Sequence, residues 1–269
     1  MSDLPRSDAP RTTEPVPARP AATVLVLRDG PEGLEVFMVV RHHQIDFASG
    51  ALVFPGGRLE PGDYAIAAAL PGEDPLAAFR VAAIREAFEE CGLLLARDRD
   101  GAPLPHARAE AITAAHRTAL NDGTLSFAAL LEAEGLVPDI AALARFAHWV
   151  TPLDLPKRFD THFFLAPAPP GHAGTHDGRE AVESLWIRPA AALAEAEAGS
   201  RTLVFATRLN LQRLAGFTDT ASAFAAASAA RVVTVQPVPS QAPDGTMHMR
   251  IPVEAGYGGP LFPVTRRAM

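Results

Sequence analysis

The sequence predicts a layered α/β (α+β) domain. Apolar, β-branched runs alternate with segments of helical period, and no internal repeat is visible. The composition, 48% hydrophobic and 20% charged, suits a chain that buries a sizeable core. At 269 residues it could form one large domain or two small ones. The order of elements favours a single domain over 21–269, behind a disordered tail over 1–20. Residues 105–147 read as an inserted helical lobe and 216–269 as a C-terminal extension.

Residues 21–41 carry a β-hairpin pattern. ATVLVLRD and LEVFMVVR are apolar and β-branched, and Asp29-Gly30 with Gly33 supplies turn chemistry between them. A polar stretch, HHQIDFASG, precedes a short strand, ALVF, which runs into Pro55-Gly56-Gly57. From Pro75 to about Ala96 the period becomes helical, with Asp74 as N-cap and Pro75 in the first helical position. Two further helices are expected around HARAEAITAAHRTAL and SFAALLEAEG, the second capped by Ser126. AHWVTP and RFDTHFFLAP read as strands, PPGHAGTHDG as a flexible loop and ESLWIRP as another strand. Helices are expected at Ala190–Ala198 and near Leu203–Leu214, and VVTVQPVP and MHMRIPV read as extended.

Charge and composition exclude several function classes. With 24 basic and 31 acidic side chains the formal charge is −7, and no long Lys/Arg run is present, so a duplex nucleic-acid surface is not expected. Cys91 is the only cysteine, which rules out an intrachain disulfide and fits a reducing compartment. The first 20 residues lack the apolar core of a signal peptide, and the final TRRAM carries no recognisable address. No stretch has the length and apolarity of a membrane span. These features place the protein in the cytoplasm. No G-x-x-x-x-G-K-[ST] loop occurs, which excludes a P-loop nucleotidase.

One helix carries the strongest chemical signal. At 100° per residue, with Glu86 at zero, Glu90 falls at about 40° and Glu89 at about 300°, so three carboxylates share one face. Val81, Ile84, Phe88, Cys91 and Leu95 gather on the opposite side. Like charges at i,i+3 and i,i+4 cost a few tenths of a kcal/mol per pair, and only Arg85 lies near, off to one side. A solvated acidic face is the commoner explanation of three glutamates alone. A divalent cation is the alternative, and oxygen ligands without His or Cys point to Mg²⁺ or Mn²⁺.

Phe54-Pro55-Gly56-Gly57 upstream favours the metal. Together with Arg85-Glu86-Ala87-Phe88-Glu89-Glu90-Cys91-Gly92-Leu93, it resembles the Nudix box. In that pattern a glycine is followed six residues on by an acid, here Asp63 counting from Gly57, and then by R-E-apolar-x-E-E-x-G-apolar. Asp63 is one methylene shorter than the usual Glu. The gap between Asp63 and Arg85 holds 21 residues, 14 more than the usual seven. Insertions in the box mark a subgroup, the coenzyme A diphosphatases of the peroxisomal mammalian type and their bacterial relatives. RHHQIDFASGALVFPGG and HWVTPLDLPKRFDTHFFLAP look similar to that subgroup, and the likeness spans about residues 22–215.

The resemblance implies a Nudix-type α/β/α sandwich with a mixed central sheet and a Mg²⁺- or Mn²⁺-dependent hydrolase of a diphosphate linkage. Its substrate would be a small nucleotide diphosphate, coenzyme A or its thioesters, and a homodimer is common in the family. Glu86, Glu89, Glu90 and the Gly57 carbonyl would hold the metal, with Glu86 or a partner assisting deprotonation of water. Arg85 would pair with a box acid, Asp63 being expected and Glu60, Glu73 and Asp74 its rivals. Glu180 and Glu183 are candidates for a further acid outside the box. Arg41 and Arg158 are candidate phosphate contacts, and Phe47, Trp149 and Phe159 candidate adenine platforms, although surface arginines and core aromatics are commoner. Cys91 reads as a buried small hydrophobe, and His172 and His176 as parts of a surface loop. The alternatives are a Nudix pyrophosphatase acting on ADP-ribose, NADH or nucleoside triphosphates, and a non-catalytic nucleotide sensor. The latter typically loses the glutamates that this chain keeps.

Overall fold

A computed structural model describes residues 15–42, 50–171, 174–179 and 181–264. The hairpin expected at 21–41 is β1 (Arg19–Gly30) and β2 (Gly33–Arg41), antiparallel and closed across the Gly30–Gly33 pair. The arms stay paired only as far as Leu27 and Val36. Beyond that they diverge, and the segment carrying β3 (Leu52–Val53) and β4 (Gly56–Arg58) fills the wedge. β3 pairs with Val39 and Val40 of β2, and β4 with Ala21–Thr23 of β1. The Pro-Gly-Gly run therefore lies inside the sheet.

The remaining elements follow as α1 (Pro61–Ala69), α2 (Ala77–Cys91), β5 (Ala96–Asp98), α3 (His106–Asn121), α4 (Phe127–Glu134), β6 (Leu136–Pro138), β7 (Ala144–Val150), β8 (Phe159–Pro167) and β9 (Ala181–Ile187). After them come α5 (Pro189–Glu197), α6 (Phe205–Leu214), α7 (Thr220–Ala229), β10 (Thr234–Val235), β11 (Val238–Gln241), β12 (Met247–Arg250) and β13 (Leu261–Pro263). The main sheet has the order β10-β7-β8-β1-β2-β3, with β4 on β1 and β9 on β2. It is mixed, since β8 runs parallel to β1 and β10 parallel to β7.

Side chains alternate across each strand, and the two faces build separate cores. Val24, Val26, Phe37, Val39 and Phe164 pack beneath α2, α3 and α4. Leu25, Leu27, Val36, Met38 and Leu165 pack on α5, α6 and α7. The result is the expected sandwich. The α3–α4 segment shares the α2 core through Ile112, Leu120, Phe127 and Leu130. Ser126 caps α4 as expected, accepting from Ala129 N at 3.2 Å. Ser126→Ala is expected to lower stability by about 1 kcal/mol, read as a shift in the denaturant midpoint at unchanged slope.

Several boundaries differ from expectation. The helix expected over 75–96 is α2, which starts two residues later and ends at Cys91, because Gly92 adopts a left-handed conformation (φ 68°). Asp74 precedes that helix without capping it, and its carboxylate accepts from Leu76 N instead. The 14 extra residues of the box contribute most of α1, which the sequence left without an element. The C-terminal extension, expected as strands alone, also contains α7. Its run of alanines has little periodicity to read, and Asp219 caps it by accepting from Ser222 N at 2.7 Å. Among the described residues, no helix is long and apolar enough to cross a membrane.

Candidate active site

The wedge segment brings β4 alongside α2, and this contact forms the site. Gly56 N donates to Glu90 at 3.1 Å. A Cβ at Gly57 would lie 2.3 Å from Glu86 Oε1. The two glycines are the means by which a strand backbone lies directly against a row of glutamates. The opposite face of α2 is the apolar one, with Val81, Ile84, Phe88 and Cys91 all inaccessible to solvent. Each such side chain contributes roughly 1–3 kcal/mol, so the helix is held with its carboxylates turned to β4. Burial also pushes the Cys91 thiol well up, consistent with an inert core residue.

Arg85 sits among the acids and not to one side. Its Nε and Nη2 grip both oxygens of Asp63 at 3.0 Å. Nη1 donates to Glu86 at 2.9 Å and Glu89 at 2.7 Å, and Nη2 also reaches the Arg58 carbonyl at 2.9 Å. Burial alone would lower the Arg85 pKa, but the Asp63 hydrogen bond and the three surrounding carboxylates raise it. Asp63 in turn accepts from Glu60 N at 2.8 Å, which fixes the start of α1. Of its rivals, Asp74 pairs with Arg80, Glu73 is exposed and Glu60 lies at the rim. Burial raises the Glu89 carboxyl, with Arg85 working against it. The acidic face is not a solvated one, since Glu90 is only 6% exposed.

These groups line a cleft of about 480 Å³ between α1, α2 and the α3–α4 turn. Arg117 and Asn121 of α3 both donate to the Glu89 carbonyl, at 3.0 and 3.2 Å, closing the end of α2. Asp177 lines the same cleft and was not singled out from the sequence. Thr175 N donates to the Cys91 carbonyl at 2.9 Å, which ties the Asp177 loop to the end of α2. Asp177 Oδ1 accepts from Arg179 N and Ala181 N, an Asp-Gly turn. The loop read as flexible thus carries an anchored carboxylate, and its Asp177-Gly178 pair was the one available signal.

Six carboxylates (Glu60, Asp63, Glu86, Glu89, Glu90 and Asp177) and one guanidinium line the cleft. An oxygen-only donor set with this excess of negative charge fits a hard divalent cation. Arg85 meanwhile holds Glu86 and Glu89.

Other candidates are placed elsewhere. Arg158 is 7% exposed and donates to the carbonyls of Val16, Thr151 and Pro152, so it braces the backbone and is not a phosphate contact. Glu183 pairs with Val40 on the α5–α6 face and is gripped by both terminal nitrogens of Arg201 at 2.7 Å, away from the cleft. Phe159 shares the strand parity of Phe163 and Leu165, also on that face. Trp149 is core, donating to Tyr257 Oη at 3.1 Å. Arg41 ends β2 and does not line the cleft. His176 is held by Ser184, its Nδ1 lying 3.1 Å from the hydroxyl. Glu180, Phe47 and His172 lie outside the described residues.

The profile of the NUDT19 Nudix domain matches residues 65–206, which include the α2 glutamates. The chain is 30% identical over 217 residues to the acyl-coenzyme A diphosphatase NUDT19 of Gallus gallus, covering 61% of this chain and 56% of that one. It is 35% identical over 127 residues to the Homo sapiens protein of the same name, covering 43% and 33%. The chain therefore spans about half or less of these curated relatives. A crystal structure of a NUDIX hydrolase from Alicyclobacillus acidocaldarius superposes with a TM-score of 0.68 at 32% identity, covering 78% of this chain and 96% of that one.

Proposed function

The chain belongs to the NUDT19 Nudix family, and from that premise we propose that it hydrolyses the diphosphate linkage of coenzyme A or an acyl-coenzyme A with Mg²⁺ or Mn²⁺. The products would be phosphopantetheine, or its acyl form, and adenosine 3′,5′-bisphosphate. Water adds to one phosphorus, the bridging P–O bond breaks, and the bridging oxygen leaves on the other phosphate. The observation that carries the reading is the cleft itself. It holds the α2 glutamates around a buried arginine, with β4 glycines pressed against two of them.

Glu86, Glu89, Glu90 and the Gly57 carbonyl would hold the cation. That ion neutralises phosphate charge and lowers the pKa of the attacking water. Arg85 keeps Glu86 and Glu89 in register with Asp63, and Gly56 N holds Glu90. Asp177, on its anchored turn, supplies the acid outside the box. Glu86, or a neighbouring carboxylate, accepts the proton of water at this rim. The names of the curated relatives support the substrate class.

The test is incubation with Mg²⁺ or Mn²⁺ and coenzyme A, acetyl-coenzyme A, ADP-ribose, NADH or a nucleoside triphosphate, with products identified by mass. The expected result is phosphopantetheine or its acyl form, abolished by EDTA and by Glu90→Gln. Cleavage of ADP-ribose, NADH or the triphosphate alone would overturn the coenzyme A assignment. Cleavage of none would overturn the hydrolase.

A further inference from the structure

A second cluster of metal-ligating side chains lies outside the glutamate cleft. The β7–β8 register sets His148 directly opposite His162, and Asp160, two residues before His162, shares its face. One ligand atom from each of the three lies within 4.8 Å of the others. Among the described residues this is the only such group of His, Cys, Asp or Glu. None of the three lines the glutamate cleft. The row His162–Ala22–Gly57 across β8, β1 and β4 puts them two strand spacings from Gly57, about 10 Å.

Three features of the cluster suit a cation. His148 Nε2 and Asp160 Oδ1 lie within hydrogen-bonding reach of each other, so a nitrogen and an oxygen donor already converge on one spot. The other nitrogen of His148 lies 2.8 Å from the Thr234 hydroxyl, the kind of outer contact that fixes the ring of a ligating histidine. His162 is only 6% exposed, and its Nδ1 is buried without a hydrogen-bond partner. Such groups are normally paired with protein, water or an ion.

We propose that His148, Asp160 and His162 form a binding site for a transition-metal dication of the Zn²⁺ class, separate from the glutamate cleft. Two imidazoles and one carboxylate suit that class better than Mg²⁺, and three protein ligands leave a position for water. The two rings stack at 4.0 Å and 8°; because imidazole lone pairs lie in the ring plane, the His162 ring turns out of that stack on binding while Thr234 keeps His148 in place. Asp160, with 39% of its side chain exposed, marks the open side.

The test is titration of the full chain with Co²⁺ as a spectroscopic probe, in excess Mg²⁺ to mask the glutamates. The expected result is one equivalent with visible bands of mixed nitrogen and oxygen coordination. Binding is lost in His148→Ala and in the half-exposed Asp160→Asn, weakened about tenfold or more in Thr234→Ala, and unchanged in Glu90→Gln. Zn²⁺ should raise Tm in the parent and in Glu90→Gln but not in Asp160→Asn. Co²⁺ binding that survives Asp160→Asn and His148→Ala, or that disappears in Glu90→Gln, would assign the ion elsewhere. Absence of any Mg²⁺-resistant binding would overturn the site.

Discussion

Replacing Arg85 with methionine is expected to lower the unfolding free energy by about 3–5 kcal/mol, the usual cost of leaving a buried charge without its partner. Asp63 is 1% exposed, and Arg85 is the cation that takes both of its oxygens. The variant also frees Glu86 and Glu89 to repel one another across one helical turn. For a chain of this size the loss corresponds to a fall of about 10 °C in Tm. Lysine should restore little, because one ammonium cannot reproduce the two-pronged grip on Asp63 while also reaching Glu86, Glu89 and the Arg58 carbonyl.

The measurement is denaturant and thermal unfolding of the single variants and of Arg85→Met with Asp63→Leu. If the pair acts as described, the double variant is more stable than the sum of the single losses allows, since no buried carboxylate is left behind. A loss below about 1 kcal/mol in Arg85→Met would show that the guanidinium is not the keystone of the cleft. Activity should fall with it, but stability separates this role from direct contact with substrate.

How much of this was legible in the sequence depends on the range of the interactions. The acidic and apolar faces of α2 follow from helical period alone, and the burial of Val81, Ile84, Phe88 and Cys91 follows the same period. Gly92 as the end of the helix is equally local. The choice of Asp63 over its rivals was not local, since 22 positions separate it from Arg85 and only the folded α1–α2 pair brings them together. Asp177 was less accessible still. It reaches the cleft through one backbone bond from Thr175 to Cys91 and an Asp-Gly turn. Arg158 and Glu183 misled for the same reason. Each is a charged residue near a strand end, and whether it faces a cleft, a carbonyl or an arginine depends on sheet pairing across the molecule. The His148–Asp160–His162 cluster was invisible because a cross-strand pair depends on register, which composition does not reveal.

Two adjacent glycines separate folding from chemistry, and here the largest effects on turnover are expected. A Cβ at Gly56 would lie 2.4 Å from the Ala22 carbonyl oxygen and 2.7 Å from Thr23 Cα, so Gly56→Ala must push β4 off β1 and lose stability. At Gly57 the three atoms nearest the new carbon are those of the Glu86 carboxyl group, at 2.3–2.9 Å. That side chain can turn away, so Gly57→Ala should fold with nearly the parent Tm. With Glu86 displaced by about an ångström, kcat should nevertheless fall on the order of 100-fold. Glu90→Gln keeps an oxygen for Gly56 N but removes a charge from the proposed cation site. Loss of about 4 kcal/mol of transition-state stabilisation there corresponds to roughly a 1,000-fold drop in kcat. The comparison is kcat and Tm for the three variants on the same diphosphate substrate. Full turnover in Gly57→Ala would remove Glu86 from the reaction. A large Tm loss in the same variant would mean that the β4–α2 contact serves the fold before it serves the chemistry.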